Sequence, residues 1–167
     1  MRSSIDSIDS TGSDINIINQ FITAARNGDE TTVRSLLLTL KVKINDKNNN
    51  GQTALMHAVA HRTENSMVSL LLDRGADINM KDNKYGSTAL IYAAINNKEG
   101  MVSFLLDRGA DINIKNNNGS TVLMVAANTC SESIISLLLD RGADVSIKNN
   151  VIIAFCFNAF MYLHIYL

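Results

Sequence analysis

LLLDRGADIN at 70–79, FLLDRGADIN at 104–113 and LLLDRGADVS at 137–146 are one phrase written three times. Its glycines, Gly75, Gly109 and Gly142, stand 34 and 33 residues apart. Self-similarity at that period is the mark of a chain built by stacking one small unit, so the fold class is decided before any other feature is weighed. A stacked array displays side chains along an extended surface, which predicts binding and leaves the bound partner open.

Aligning the glycine phrases brings a second block into register: NNNGQTALMHAV at 48–59, NKYGSTALIYAA at 83–94 and NNNGSTVLMVAA at 116–127. Gly51, Gly86 and Gly119 each follow an Asn three residues earlier. That pairing predicts a tight turn, because Gly tolerates positive φ and an Asx side chain bonds the nearby backbone. Thr53, Thr88 and Thr121 then stand where a hydroxyl can cap a helix start. The short helix that follows carries Ala58, Ala93 and Ala126, small enough to let a neighbouring helix approach closely. Next come MVSLLLD at 67–73, MVSFLLD at 101–107 and IISLLLD at 134–140, with apolar residues at i, i+3 and i+4 in a wide stripe. This second helix stops at Gly75, Gly109 and Gly142, with Arg74, Arg108 and Arg141 placed to complement its negative end. The Asp and Arg of the repeated phrase thus have a structural explanation.

The units resemble ankyrin repeats, whose 33-residue pattern includes T-P-L-H-x-A. Here the pattern stands as TALMHA at 53–58, TALIYA at 88–93 and TVLMVA at 121–126. Pro is replaced by Ala or Val, and the family's His by Met56, Ile91 and Met124, changes that weaken the preorganised first turn without changing the fold. The resemblance implies an all-α ankyrin-repeat solenoid of stacked helix-turn-helix units joined by short β-hairpin or turn connections. The units fall at 46–80, 81–114 and 115–148. A degenerate capping unit at 14–45 precedes them, resting on FITAARNGDETTVRSLL at 21–37, with Lys41 where the helix-stop Gly would be. Single-residue insertions fall between His61 and Asn65 and between Met80 and Gly86. Residues 1–13 read as a disordered polar tail.

Composition narrows the function classes. The 167 residues are 46% hydrophobic and 19% charged, enough for one continuous core. Fifteen Lys and Arg against sixteen Asp and Glu leave a net charge of −1, which argues against a nucleic-acid partner. Cys130 and Cys156 have no metal or redox spacing and read as reduced thiols. The start, MRSSIDSIDSTGSD, has no apolar run and does not read as a secretory signal, so a cytoplasmic monomer is expected. Abundant Asn, Ile and Lys with no Pro or Trp point to an AT-rich genome, and degenerate arrays of this kind resemble those of pathogens and large DNA viruses, which would place the protein in a host cytoplasm.

In proteins of this resemblance partners are held by the hairpin tips and by the exposed face of the inner helices. Carried onto this chain, the tips are Asn49, Asn50 and Gln52, then Lys84, Tyr85 and Ser87, then Asn117, Asn118 and Ser120. The inner-helix positions are Ala60 and His61, Ile95 and Asn96, Asn128 and Thr129. Tyr85 is the anchor candidate, because an exposed aromatic can supply about 2 kcal/mol or more of binding energy. One lysine recurs in every spacer, Lys47, Lys81, Lys115 and Lys148, a ladder that could steer an acidic partner or be no more than copied, solvated repeat sequence. His57 and His61, four apart on a helix, share a face, but no third ligand lies near in sequence, so a packed His57 and a surface His61 are expected. No phosphate-binding glycine loop, nucleophile elbow or catalytic carboxylate pair is present, so the chain reads as a non-catalytic protein-interaction module without a cofactor.

After Lys148 the pattern breaks into NNVIIAFCFNAFMYLHIYL. Residues 149–167 are open to three readings: a degraded fifth repeat, a C-terminal cap, or, through the uncharged stretch 151–167, a membrane anchor that would make the protein a tail-anchored adaptor.

Overall fold

The computed structural model describes residues 10–39, 42–61 and 65–148, with side chains from residue 14 onward. Within those residues the chain forms helix pairs: α1 (Ser10–Asn27) with α2 (Glu30–Leu38), α3 (Ala54–His61) with α4 (Ser66–Asp73), α5 (Ala89–Ile95) with α6 (Glu99–Asp107), and α7 (Val122–Asn128) with α8 (Glu132–Asp140). The odd-numbered helices form an inner row, α1 on α3, α3 on α5 and α5 on α7. Each even-numbered helix packs on its own partner as an outer row. One apolar core runs the length of the array, from Phe21 through Leu55, Leu71, Leu90 and Leu105 to Leu138. The small residues Ala58, Ala93 and Ala126 sit fully buried in it and allow the inner helices their close approach.

The helix stops form as the repeated phrase requires. Gly75, Gly109 and Gly142 have φ of 85°, 87° and 81°. In each, the glycine amide bonds the carbonyl three residues back while the next Ala amide reaches five back, as in Gly75 N to Leu72 O at 2.9 Å and Ala76 N to Leu71 O at 3.0 Å. That double bond satisfies carbonyls a helix would otherwise leave open. Helices α1, α5 and α7 end by the same device with other residues: Gly28 has φ 75°, whereas Asn97 and Cys130 occupy the equivalent place at 52° and 53°.

Among the described residues no strand forms, and the connections between units are turns. The turns close through backbone bonds from Asn48 N to Gln52 O, Asp82 N to Ser87 O and Asn116 N to Ser120 O, with Gly51 N and Gly119 N also bonding Asn48 O and Asn116 O. Two expectations need correction. The turn in the unit at 81–114 is held by Asp82 rather than Asn83, because the inserted residue shifts the register: its carboxylate accepts from the amides of Lys84 at 2.7 Å, Tyr85 at 2.6 Å and Ser87 at 3.0 Å. Thr53 and Thr88 accept the amides of Met56 and Ile91 at 3.4 Å, but the buried hydroxyl of Thr121 has no partner, so it is not a cap.

The first unit also departs from expectation, since α1 begins at Ser10, inside the stretch read as a polar tail. Asp29 caps α2 by accepting from the Thr32 amide at 3.0 Å. Lys41 and residues 149–167 lie outside the described residues.

Stacking is specified by bonds between successive units as well as by the core. The side-chain oxygens of Asn45, Asn79 and Asn113 accept the amides of Asp77, Asp111 and Asp144 at 2.8, 2.9 and 2.9 Å. Arg108 pairs with Asp73, and Arg141 with Asp107 at 2.7 Å. The Asp and Arg of the repeated phrase therefore tie neighbouring units together, a role beyond the helix end read from sequence. Lys98 reaches back to the last carbonyls of α3, bonding Val59 O at 3.0 Å and Ala60 O at 2.8 Å. At the tips, the amide of Asn83 bonds Asn50 O at 3.1 Å and that of Asn117 bonds Tyr85 O at 2.8 Å.

Candidate functional site

The inner helices align on Ala24, Ala58, Ala93 and Ala126, which fixes which side chains share a level. Thr23, His57, Tyr92 and Val125 form one row, Arg26, Ala60, Ile95 and Asn128 the next, and Asn27, His61, Asn96 and Thr129 the last. Arg26, Ile95 and Asn128 are exposed, as are His61, Asn96 and Thr129, while Ala60 is half-buried. Two of these side chains fold back on their own helices, Asn96 Nδ2 donating to Tyr92 O at 2.7 Å and Thr129 Oγ1 to Ala126 O at 3.0 Å.

The tips are divided. Asn49, Asn50, Lys84, Tyr85, Asn117 and Asn118 are exposed. Tyr85 stands 52% exposed, with the Lys84 ammonium 4.7 Å from its ring centroid. This contact draws Lys84 above its usual pKa, through its bond to the Tyr85 side chain first. Ser87 and Ser120, expected among the contact residues, are only 3% and 8% exposed. They precede the capping Thr, where the chain dives into the core, so neither presents a surface side chain. Gln52 is half-buried and engaged from both ends of its amide.

That amide belongs to a polar chain crossing the inner face. Gln52 Nε2 donates to the Tyr92 hydroxyl at 3.0 Å, which in turn donates to Asp82 Oδ2 at 3.2 Å. With its nitrogen committed to Tyr92, Gln52 presents Oε1 to His57 Nε2 at 3.1 Å. His57 therefore carries its proton on Nε2, which leaves Nδ1 as an acceptor, buried and without a partner. His61 stacks on His57 with ring centroids 5.9 Å apart. Burial holds His57 below the usual histidine pKa, helped by His61 and Arg26. His61 is lowered too, by burial and then by Arg26 and Lys98. Burial raises the Tyr92 phenol, with the nearby Asp82 adding to the shift. Among the described residues no three His, Cys, Asp or Glu gather to hold a metal.

The spacer lysines run along the hairpin edge, yet they are not a bare row of cations. Lys47 is half-buried and donates to Lys81 O at 2.9 Å. Lys81, Lys115 and Lys148 are exposed, and Lys115 lies close enough to Asp144 to help lower its pKa, after the larger effect of hydrogen bonds from Ser146.

Sequence reasoning missed three members of this face. Arg26 stands level with Ala60, Ile95 and Asn128, which its two-residue offset from Ala24 would have disclosed. Tyr92 and Asp82 bridge units through side-chain bonds that no local pattern announces.

A family model described as ankyrin repeats, in three copies, matches residues 21–116 and 68–149. No curated protein matches the chain.

Proposed function

The chain belongs to the ankyrin repeat family, and from that premise we propose that it is a non-catalytic module binding a protein partner across its hairpin tips and inner-helix face. The observation that carries this reading is Tyr85, a large aromatic left half-exposed at the central tip and braced by Lys84. A pre-positioned ring loses little conformational freedom on binding, the property that makes aromatic residues dominate interfaces. Ile95 is 49% exposed at the far end of α5, and the exposed His61, Asn49, Asn50, Asn117, Asn118 and Asn128 add hydrogen-bonding groups to the tips and the inner face. No helix among the described residues is long and apolar enough to cross a membrane.

The test is affinity capture with the intact chain beside a Lys84→Ala, Tyr85→Ala double variant and an Arg74→Ala variant altered on the outer row. The proposed contact surface requires partners to be lost from the double variant and retained by Arg74→Ala. Equal recovery by all three overturns it.

A further inference from the structure

The formal charge of −1 hides a separation of charge between the two rows. Glu30, Glu99 and Glu132 begin the outer helices and Asp73, Asp107 and Asp140 end them, and with Asp77, Asp111 and Asp144 in the connections they outnumber the row's Arg34, Arg74, Arg108 and Arg141. The Asp after each helix-stop Gly lies in the connection beyond, its carboxylate accepting from the backbone two residues on. The inner face carries Arg26, His57, His61 and Lys84, with Lys98 closing the end of α3 beside them. Among the described residues its carboxylates are elsewhere engaged: Asp82 is 4% exposed and saturated by three amides and the Tyr92 hydroxyl. Asp29 is turned onto Thr32, whose hydroxyl donates to it at 2.6 Å. Asp14 sits twelve residues before Arg26 on α1, about 18 Å along the helix.

We propose that the inner face from Arg26 to Lys84 takes an acidic polypeptide segment, its carboxylates over Arg26 and Lys84 and an apolar side chain against Tyr85. This rests on the protein-binding reading above and names the chemistry of the partner. A polypeptide is favoured over nucleic acid because the face offers one exposed aromatic between short polar side chains. It lacks the stacked aromatics and continuous cationic groove that hold a single strand.

The experiment is a fluorescence anisotropy titration of the full chain with a labelled Glu- and Asp-rich peptide containing one Leu, and with its twin in which every acid is the amide. The acidic peptide binds more tightly, and raising salt removes the difference because the contacts are exposed. Arg26→Gln and Lys84→Gln each weaken it by roughly two- to fivefold, the range exposed charge contacts give. Arg74→Gln, on the outer row, leaves it unchanged. Equal affinity for the twins, equal loss from Arg74→Gln and Arg26→Gln, or displacement of the peptide by a single-stranded oligonucleotide of matched charge each overturns the proposal. If the acidic peptide fails while partner capture still depends on Tyr85, the protein-binding surface stands and only its charge preference is wrong.

Discussion

Replacing Gly86 with Ala tests how the units are held together. Gly86 has φ 65°, and an added Cβ would lie 2.2 Å from Asn117 Oδ1 and 2.8 Å from its backbone nitrogen. Gly109 has φ 87° but nothing within 4 Å of the same position. Both substitutions incur the left-handed penalty of an L-residue, about 1–2 kcal/mol, partly offset by about 0.4–1 kcal/mol from a stiffer unfolded chain. Only Gly86→Ala also pushes away the Asn117 amide, which bonds Tyr85 O at 2.8 Å. Losing that bond adds about 0.5–1.5 kcal/mol, and the displaced tip adds the cost of a disturbed interface. Gly109→Ala should therefore cost about 1 kcal/mol and Gly86→Ala about 2–4 kcal/mol. Urea unfolding read by circular dichroism gives both values from the midpoints, provided the slopes agree. Asn117→Ala in the Gly86→Ala background should recover part of the loss, since it removes the side chain at 2.2 Å but not the backbone at 2.8 Å. Equal losses at Gly86 and Gly109 would refute the close approach of the tips as a stacking device.

Cys130→Gly should stabilise the protein by about 0.5–1 kcal/mol, because Cys130 holds φ 53° where glycine is unstrained. Asn97→Gly should bring no such gain, since Asn tolerates that conformation and its side chain is bonded by the Ser131 hydroxyl. A double-mutant cycle on Asp107→Asn and Arg141→Gln should give a coupling of about 0.2–1 kcal/mol that shrinks in high salt, as an exposed pair at 2.7 Å requires; coupling insensitive to salt would show that the pair acts through packing. The histidines set the acid limb of stability. With folded pKa values lowered below the ordinary 6.5, His57 and His61 take up protons more readily when unfolded, so stability is present above about pH 6.5 and is lost as pH falls through it towards the folded values. His57→Val, the residue at the equivalent position in the unit at 115–148, should flatten unfolding midpoints between pH 7 and 5; an unchanged slope would assign the dependence to other groups.

Much of the architecture was legible because its causes are local. A glycine that ends a helix, an Asx that holds a turn and an apolar stripe all act within a few residues, so Gly75, Asn48 and Leu71 announce themselves. The exceptions mark where a local rule met a tertiary demand. The inserted residue moved the turn's acceptor from Asn83 to Asp82, a shift visible only once Ser87 is seen to close the loop. Thr121 occupies a capping position without making the bond. The exposure of the tip and inner-helix residues was readable from register, but the burial of Ser87 and Ser120 was not, because one step along a chain entering the core exchanges surface for burial.

Periodicity alone was sufficient for the repeat, its two helices and their stops, since each follows from backbone geometry that a unit of about 33 residues specifies for itself. What the stack alone decided is which groups meet across units. Residues about 34 apart in the chain become neighbours, so Asp73 finds Arg108, Gly51 lies under Asn83, and Gln52 joins His57 to Tyr92. The placement of charge arises the same way: acids and bases interleave along the chain, and only the turn from inner to outer helix, repeated in register, leaves Arg26 and Lys84 exposed on the inner face and brings Asp73 and Asp107 to Arg108 and Arg141 on the outer row.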